Sequence, residues 1–208
     1  MAQAKLCFYT ELTVKVSMLP YQLDSKFDQH LLHNTKNKLE GKTIDSGLVI
    51  RVNNILNYNN GIIDKTNFMG TTTMTVECQA LICSPQKDQE IVCQIVNVTI
   101  KGYLLVKNGS LLVAIRYAQM DAKKFDYDDT GKTVKILYKK NEKASLIELK
   151  NDMHVKVSLL NIKKNLNART ITADGKLLDI ATDSEIKTYE EERAMIMGLD
   201  TQEALEFV

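Results

Sequence analysis

No stretch of the sequence stays apolar for the roughly 18–20 residues that cross a bilayer. The opening MAQAKLCFYTELTVKV alternates where a secretory signal would carry an apolar block. The chain therefore reads as intracellular, with no membrane among its partners. Cysteine is scarce. Cys7, Cys78, Cys83 and Cys93 are irregularly spaced, and no two form a C-x-x-C pair. That excludes a disulfide framework and argues against structural zinc. The four read as reduced, small hydrophobic residues. Walker loops, nucleophile elbows and dinucleotide fingerprints are all missing. Gly131-Lys132-Thr133 echoes the end of a phosphate-binding loop but lacks its leading glycine. His30 and His33 share a helix face with no third ligand at metal spacing, and a solvated face explains them. No catalytic residue and no cofactor is expected.

What is present is ordered in three parts. Charge is balanced over residues 1–90, with nine basic and nine acidic side chains. Residues 91–180 carry sixteen basic and nine acidic side chains, a net of +7, and residues 181–208 carry a net of −6. Segments of such different charge point to different partners.

In the first part Leu12, Val14, Val16 and Met18 alternate with polar residues, the pattern of a half-buried strand. Pro20 suits a helix start, and Leu23, Phe27, Leu31, Leu32 and Leu39 continue at helical spacing. Gly41 is placed to end that helix in the left-handed region. Strands resume at Leu48–Val52. The segment NYNNGII then reads as a turn, because Asn59, Asn60 and Gly61 all tolerate positive φ. Thr72, Met74, Val76, Cys78 and Ala80 alternate again. This is an α+β unit over residues 1–84, and Pro85 with the polar KDQE marks its end.

Residues 85–181 read as strands throughout. The Asn108-Gly109 pair is a hairpin signal, and several short antiparallel strands in this space suit a Greek-key barrel of the OB type. Lys101, Arg116, Lys156, Lys163, Lys164 and Arg169 are spread over it, with Tyr103 and Tyr117 among them. Cations attract phosphate, and an exposed ring offers a stacking platform to an unpaired base. Lysine on a β-protein also serves solubility and edge protection. Residues 182–208 hold two capping-box patterns, Thr182–Glu185 and Asp200–Glu203, separated by Gly198. Two short acidic helices are expected there, as a tail the core can do without.

The order of motifs resembles a known family. Phe8-Tyr9, the alternating strand, Pro20, the helix, Leu39-Glu40-Gly41-Lys42, Gly47–Val52 and Gly61-Ile62-Ile63 follow one another. Val76–Ala80, Pro85 and Glu90-Ile91-Val92 come next. Over about residues 8–180 the chain resembles the larger stalk subunit of multisubunit DNA-dependent RNA polymerases, namely the seventh subunit of eukaryotic polymerase II and its archaeal counterpart. The resemblance implies a ribonucleoprotein-like tip domain followed by an OB barrel. It also implies a non-catalytic role beside the RNA exit channel, in support of transcription initiation. The implied partners are core polymerase subunits, a smaller helical stalk subunit and nascent single-stranded RNA. On this reading Tyr58, Asn59, Gly61 and Ile62 dock on the core. Lys101, Tyr103, Arg116, Lys156 and Arg169 face RNA.

The family's tip loop carries two glycines, and here Asn59 replaces the first. Fifteen asparagines, with many lysines and isoleucines, point to an AT-rich genome. A large DNA virus with its own polymerase fits that composition, so the setting is the host cytoplasm or virion if viral and the nucleus otherwise. A free RNA-binding OB protein, such as a translation factor, is the alternative.

Overall fold

A computed structural model describes residues 6–63, 68–99, 103–128, 135–139 and 146–197. The chain divides into two compact units. One is built on Cys7–Ser84 with Leu166–Arg169, the other on Pro85–Asn165 and Thr170–Val208.

The first unit is a sheet with one helix against it. The alternating segment forms β1 (Cys7–Met18). Pro20 does start a helix, but only the 3-10 turn Pro20–Gln22. The α-helix proper, α1, runs Phe27–Leu39. The expected continuous helix is interrupted because Asp24 turns its side chain onto the Lys26 N–H at 2.9 Å, a local bond that competes with helix continuation. Gly41 ends the helical segment as expected, at φ +70°. The neighbouring Glu40 carboxylate accepts the Val52 N–H at 2.8 Å, beside a register slip in the strand it faces.

Next come β2 (Thr43–Ile44), β3 (Gly47–Tyr58), β4 (Ile62–Ile63) and β5 (Thr72–Cys83). The sheet order is β1-β5-β3-β2, with β4 also on β5. Leu31 and Leu39 of α1 pack on Val16, Met18, Val49, Val52, Val76, Ala80 and Ile82, so the helix covers one sheet face. Each fully buried aliphatic side chain contributes about 1.5–3 kcal/mol.

The segment 57–63 is not the turn that its asparagines imply. β3 and β4 both lie antiparallel to β5, Tyr58 opposite Val76 and Ile62 opposite Thr73. They therefore form one broken edge strand, and the reversal falls after Ile63. Asn59 and Gly61 are not in the left-handed region. Asn59 instead clamps Thr75 twice, donating its N–H to the Thr75 carbonyl at 3.0 Å and accepting the Thr75 N–H on Oδ1 at 2.6 Å. Gly61 is required by space, since a Cβ there would strike the Thr72 methyl.

The second unit is a closed barrel of β6 (Glu90–Thr99), β7 (Tyr103–Asn108), β8 (Leu111–Met120), β12 (His154–Lys163) and β13 (Ile171–Ile180). Its order around the barrel is β12-β13-β8-β7-β6, which fits the OB-type barrel. Alternate residues such as Cys93, Ile95, Leu104, Val106, Val113, Ile115, Val157 and Leu159 fill the interior. Two expectations need correction. The β8–β13 pairing is parallel, because β13 returns to its slot only after a long excursion. The strands read at 133–149 lie outside the barrel. There β9 (Phe125–Asp128), β10 (Lys135–Lys139) and β11 (Leu146–Glu148) form a separate sheet. It is fastened to β13 by Lys124, whose ammonium donates to Asp179 Oδ2 at 2.5 Å.

The first of the two expected tail helices is α2, Asp183–Met197, and the second capping pattern lies outside the described residues. Its start is the expected capping box, with Glu185 accepting the Thr182 N–H and hydroxyl at 3.0 Å each. It is no loose appendage. Tyr189 and Ala194 are buried, and the Tyr189 ring meets His154 of β12 edge-on at 5.1 Å.

Candidate docking and nucleic-acid surfaces

The two proposed sets of residues fall in different units. In the first unit, Tyr58 is only partly available. Its ring rests on Phe27 of α1 at 5.4 Å, and its hydroxyl donates to Asp28 Oδ1 at 3.4 Å. Asn59 and Gly61 lie exposed in the break between β3 and β4, with Asn59 bonded to Thr75. All four are exposed, and Ile62 presents more apolar surface than Tyr58, at 68% against 43%. Sequence reasoning named Ile63 beside it but did not single out Phe68 and Met69. Ile63 is 56% exposed, Phe68 fully exposed and Met69 77% exposed. The signal was legible: Phe68-Met69 is an apolar pair in a reversal, where polar residues are the rule. Four large apolar side chains are thus exposed within eight positions of sequence.

In the barrel unit, Tyr103 and Arg116 are brought together. They stand directly opposite each other on β7 and β8, both exposed on the outer face. Alternation adds Lys107 on β7 to the same outward face. Lys163 lines a shallow groove of about 200 Å³ with Leu112, Ala114 and Thr172. On OB-type barrels the second and third strands are where oligonucleotides lie, and β7 and β8 are those strands here. Lys101 lies outside the described residues. Arg169 is exposed and groups with the first unit.

Lys156 is ion-paired within the barrel unit. Its ammonium is held by Glu90 at 3.0 Å and Glu185 at 3.2 Å, which neutralises it. Hydrogen bonding, to Glu90 first, pushes its pKa up. His30 and His33 have separate partners, Asp24 at 3.4 Å and Asn37 at 2.9 Å. Among the described residues no three His, Cys, Asp or Glu side chains gather as a metal site.

No family model matches the chain. A protein of Acanthamoeba polyphaga mimivirus named "Putative DNA-directed RNA polymerase subunit L376" is 40% identical to it over 208 residues, the full length of both. The chain belongs to the family of viral DNA-directed RNA polymerase subunits.

Within this polymerase subunit the ionisable groups under α2 are perturbed. Burial lowers the pKa of His154, against Glu190 and Asp152, which act to raise it. Arg193 adds to the lowering. Glu185 is held below its ordinary range, chiefly by the Thr182 backbone N–H and further by Lys156. Both groups titrate lower in the folded subunit than in the unfolded chain. The unfolded chain therefore takes up more protons as pH falls, and stability falls with it. The melting temperature should decline from about pH 6.5 downward as unfolded His154 protonates, and again toward about pH 4 for Glu185. His154→Gln should remove the upper step. A melting temperature flat between about pH 7 and 5 would show that His154 does not contribute.

Proposed function

We propose that this polymerase subunit is a non-catalytic stalk subunit, anchored to the core by its first unit and facing nascent RNA with its barrel. The observation that carries the reading is the exposed apolar end Ile62, Ile63, Phe68 and Met69, within a segment of balanced charge. Protein interfaces lose charge and gain apolar and aromatic anchors at their centres, and a nucleic acid would ask for cations instead. A sheet-and-helix unit preceding an OB-type barrel is also the order that the stalk resemblance implies. A smaller helical stalk subunit and the large core subunits are the protein partners. The viral relative favours the host cytoplasm or the virion as the setting and lends no support to the nucleus.

The test is affinity capture of the tagged full chain from infected cells, read by mass spectrometry and by cross-linking. Large polymerase subunits should co-purify, with cross-links from Ile62–Met69 to the core. Recovery without them would favour a free RNA-binding protein.

The barrel face yields a separate expectation. Single-stranded RNA should bind weakly and chiefly through charge, so log affinity should fall against log salt with a slope of about −0.7 per phosphate contacted. Tyr103→Ala should weaken binding by about 1 kcal/mol, roughly fivefold, through lost stacking. Arg116→Ala should flatten the salt slope, while Lys156→Gln should leave it unchanged because that charge is already neutralised. Fluorescence anisotropy over a salt series measures all three. Binding that ignores salt would remove this face from the account.

A further inference from the structure

The four cysteines are not equivalent. Cys93 is sealed in the barrel interior, where burial raises its thiol pKa far beyond the ordinary range. Cys78 lies under α1 in the core of the first unit. Cys7 and Cys83 differ in lying directly opposite each other, on β1 and β5.

The backbone around them shows which kind of opposition this is. The β1–β5 ladder runs without a slip from Cys7↔Cys83 to Met18↔Thr72. β1 is the sheet edge. The carbonyls of Lys15 and Ser17 are engaged away from β5, by the Lys38 ammonium and, at 3.2 Å, by the Asn34 amide of α1. A strand residue points its N–H and C=O to the same side, and alternate residues share that side. Cys7 has the parity of Lys15 and Ser17, so its backbone groups point away from β5. From the other strand, a side chain added at Gly47 would strike the Cys83 carbonyl, which therefore points to β3 and away from β1. Both observations make Cys7↔Cys83 a non-hydrogen-bonded pair. Such pairs have Cα atoms about 4.5 Å apart with both side chains on one face. A disulfide needs about 4.4–6.8 Å.

We propose that Cys7 and Cys83 are a redox pair that closes to a cross-strand disulfide when the subunit meets a disulfide oxidant. The thiolate of one cysteine attacks oxidised glutathione, and one glutathione thiolate leaves. The second cysteine, giving up its proton, attacks the mixed disulfide and displaces the second glutathione. Two thiols lose two protons and two electrons in all. One disulfide is reduced to two thiols as another forms. Both cysteines are reduced thiols in the structure, at 7% and 2% exposure. The bond would tie the first residue of the unit's long segment to the last but one, since that segment runs Cys7–Ser84. A closed loop over nearly the whole unit stabilises it by restricting the unfolded chain. A reducing cytoplasm would keep the pair open, and an oxidising exterior would close it.

The experiment uses the full native chain, incubated with oxidised glutathione at about pH 8.5. Remaining thiols are then alkylated and the chain digested without reductant. The expected product is one linked pair of peptides, holding Cys7 and Cys83, with Cys78 and Cys93 alkylated only after unfolding. The oxidised subunit should melt about 5–10 °C higher, and dithiothreitol should reverse the shift. Cys7→Ala and Cys83→Ala should each abolish the shift, while Cys93→Ala should keep it. The peptide map of the wild type decides the matter if a variant fails to fold. Glutathione adducts without the linked pair, or the scrambled linkages seen in concentrated urea, would overturn the proposal. So would a native chain left wholly reduced.

Discussion

Replacing Ile62 and Phe68 together by serine is expected to release the subunit from the polymerase core while its melting temperature stays within a few degrees of the wild type. Both side chains are largely in solvent, Phe68 wholly so, and neither lies in a core cluster. Removing them therefore costs the isolated fold little. In a complex they would be buried. Full burial of side chains this size is worth about 1.5–3 kcal/mol each, and anchors at the centre of an interface reach about 2 kcal/mol or more on truncation. The double variant should lose about 4 kcal/mol of binding, close to a thousandfold in affinity. Tyr58→Ala is the instructive contrast. It removes the packing on Phe27 and the bond to Asp28, so it should lower stability as well as binding. Competition between variant and wild type for polymerase depleted of this subunit gives the affinity, and thermal melting gives the fold. Full affinity in the Ile62→Ser, Phe68→Ser subunit would move the anchor elsewhere, with α1 as the next surface to test.

The second large effect concerns the C-terminal helix. A chain ending at Ala181 should melt roughly 10 °C or more below the full chain. Three losses combine. Tyr189 leaves a buried site against His154, and deleting a buried aromatic costs about 3–5 kcal/mol. Lys156 loses Glu185 and keeps only Glu90. The barrel residues under Tyr189 and Ala194 become wet. For a chain of this size each kcal/mol lowers the melting temperature by about 2–4 °C. The single variant Tyr189→Ala should reproduce about half of the drop with the chain at full length. An unchanged melting temperature for the truncated chain would mean that α2 adds nothing to the barrel.

Several features were legible in the residues themselves, and they share a cause. Gly41 takes a left-handed φ because the backbone there demands it and glycine alone accepts it without strain. The Thr182–Glu185 capping box needs only three residues of separation and two orphan N–H groups. The alternation of Leu12, Val14, Val16 and Met18 writes a two-residue period straight into β1, and Asn108-Gly109 turns β7 into β8. In each case the deciding interaction lies within a few residues.

What tertiary structure alone decided depends on partners far away in the chain. That β13 lies parallel to β8 follows from which slot remains when the barrel closes. That Lys135–Lys139 pairs outside the barrel is set by its ladders to Phe125–Asp128 and Leu146–Glu148. Tyr189 looks like one aromatic in an acidic helix until His154 comes up beneath it. Lys156 counts as a free cation in the sequence and as a neutralised one in the fold, because Glu90 and Glu185 arrive from opposite ends of the barrel segment. Asn59 reads as a turn residue, yet Thr75 across the ladder makes it a strand clamp. The residue types set which contacts were chemically available. The choice among them fell to the packing, where most buried polar or charged groups find a partner.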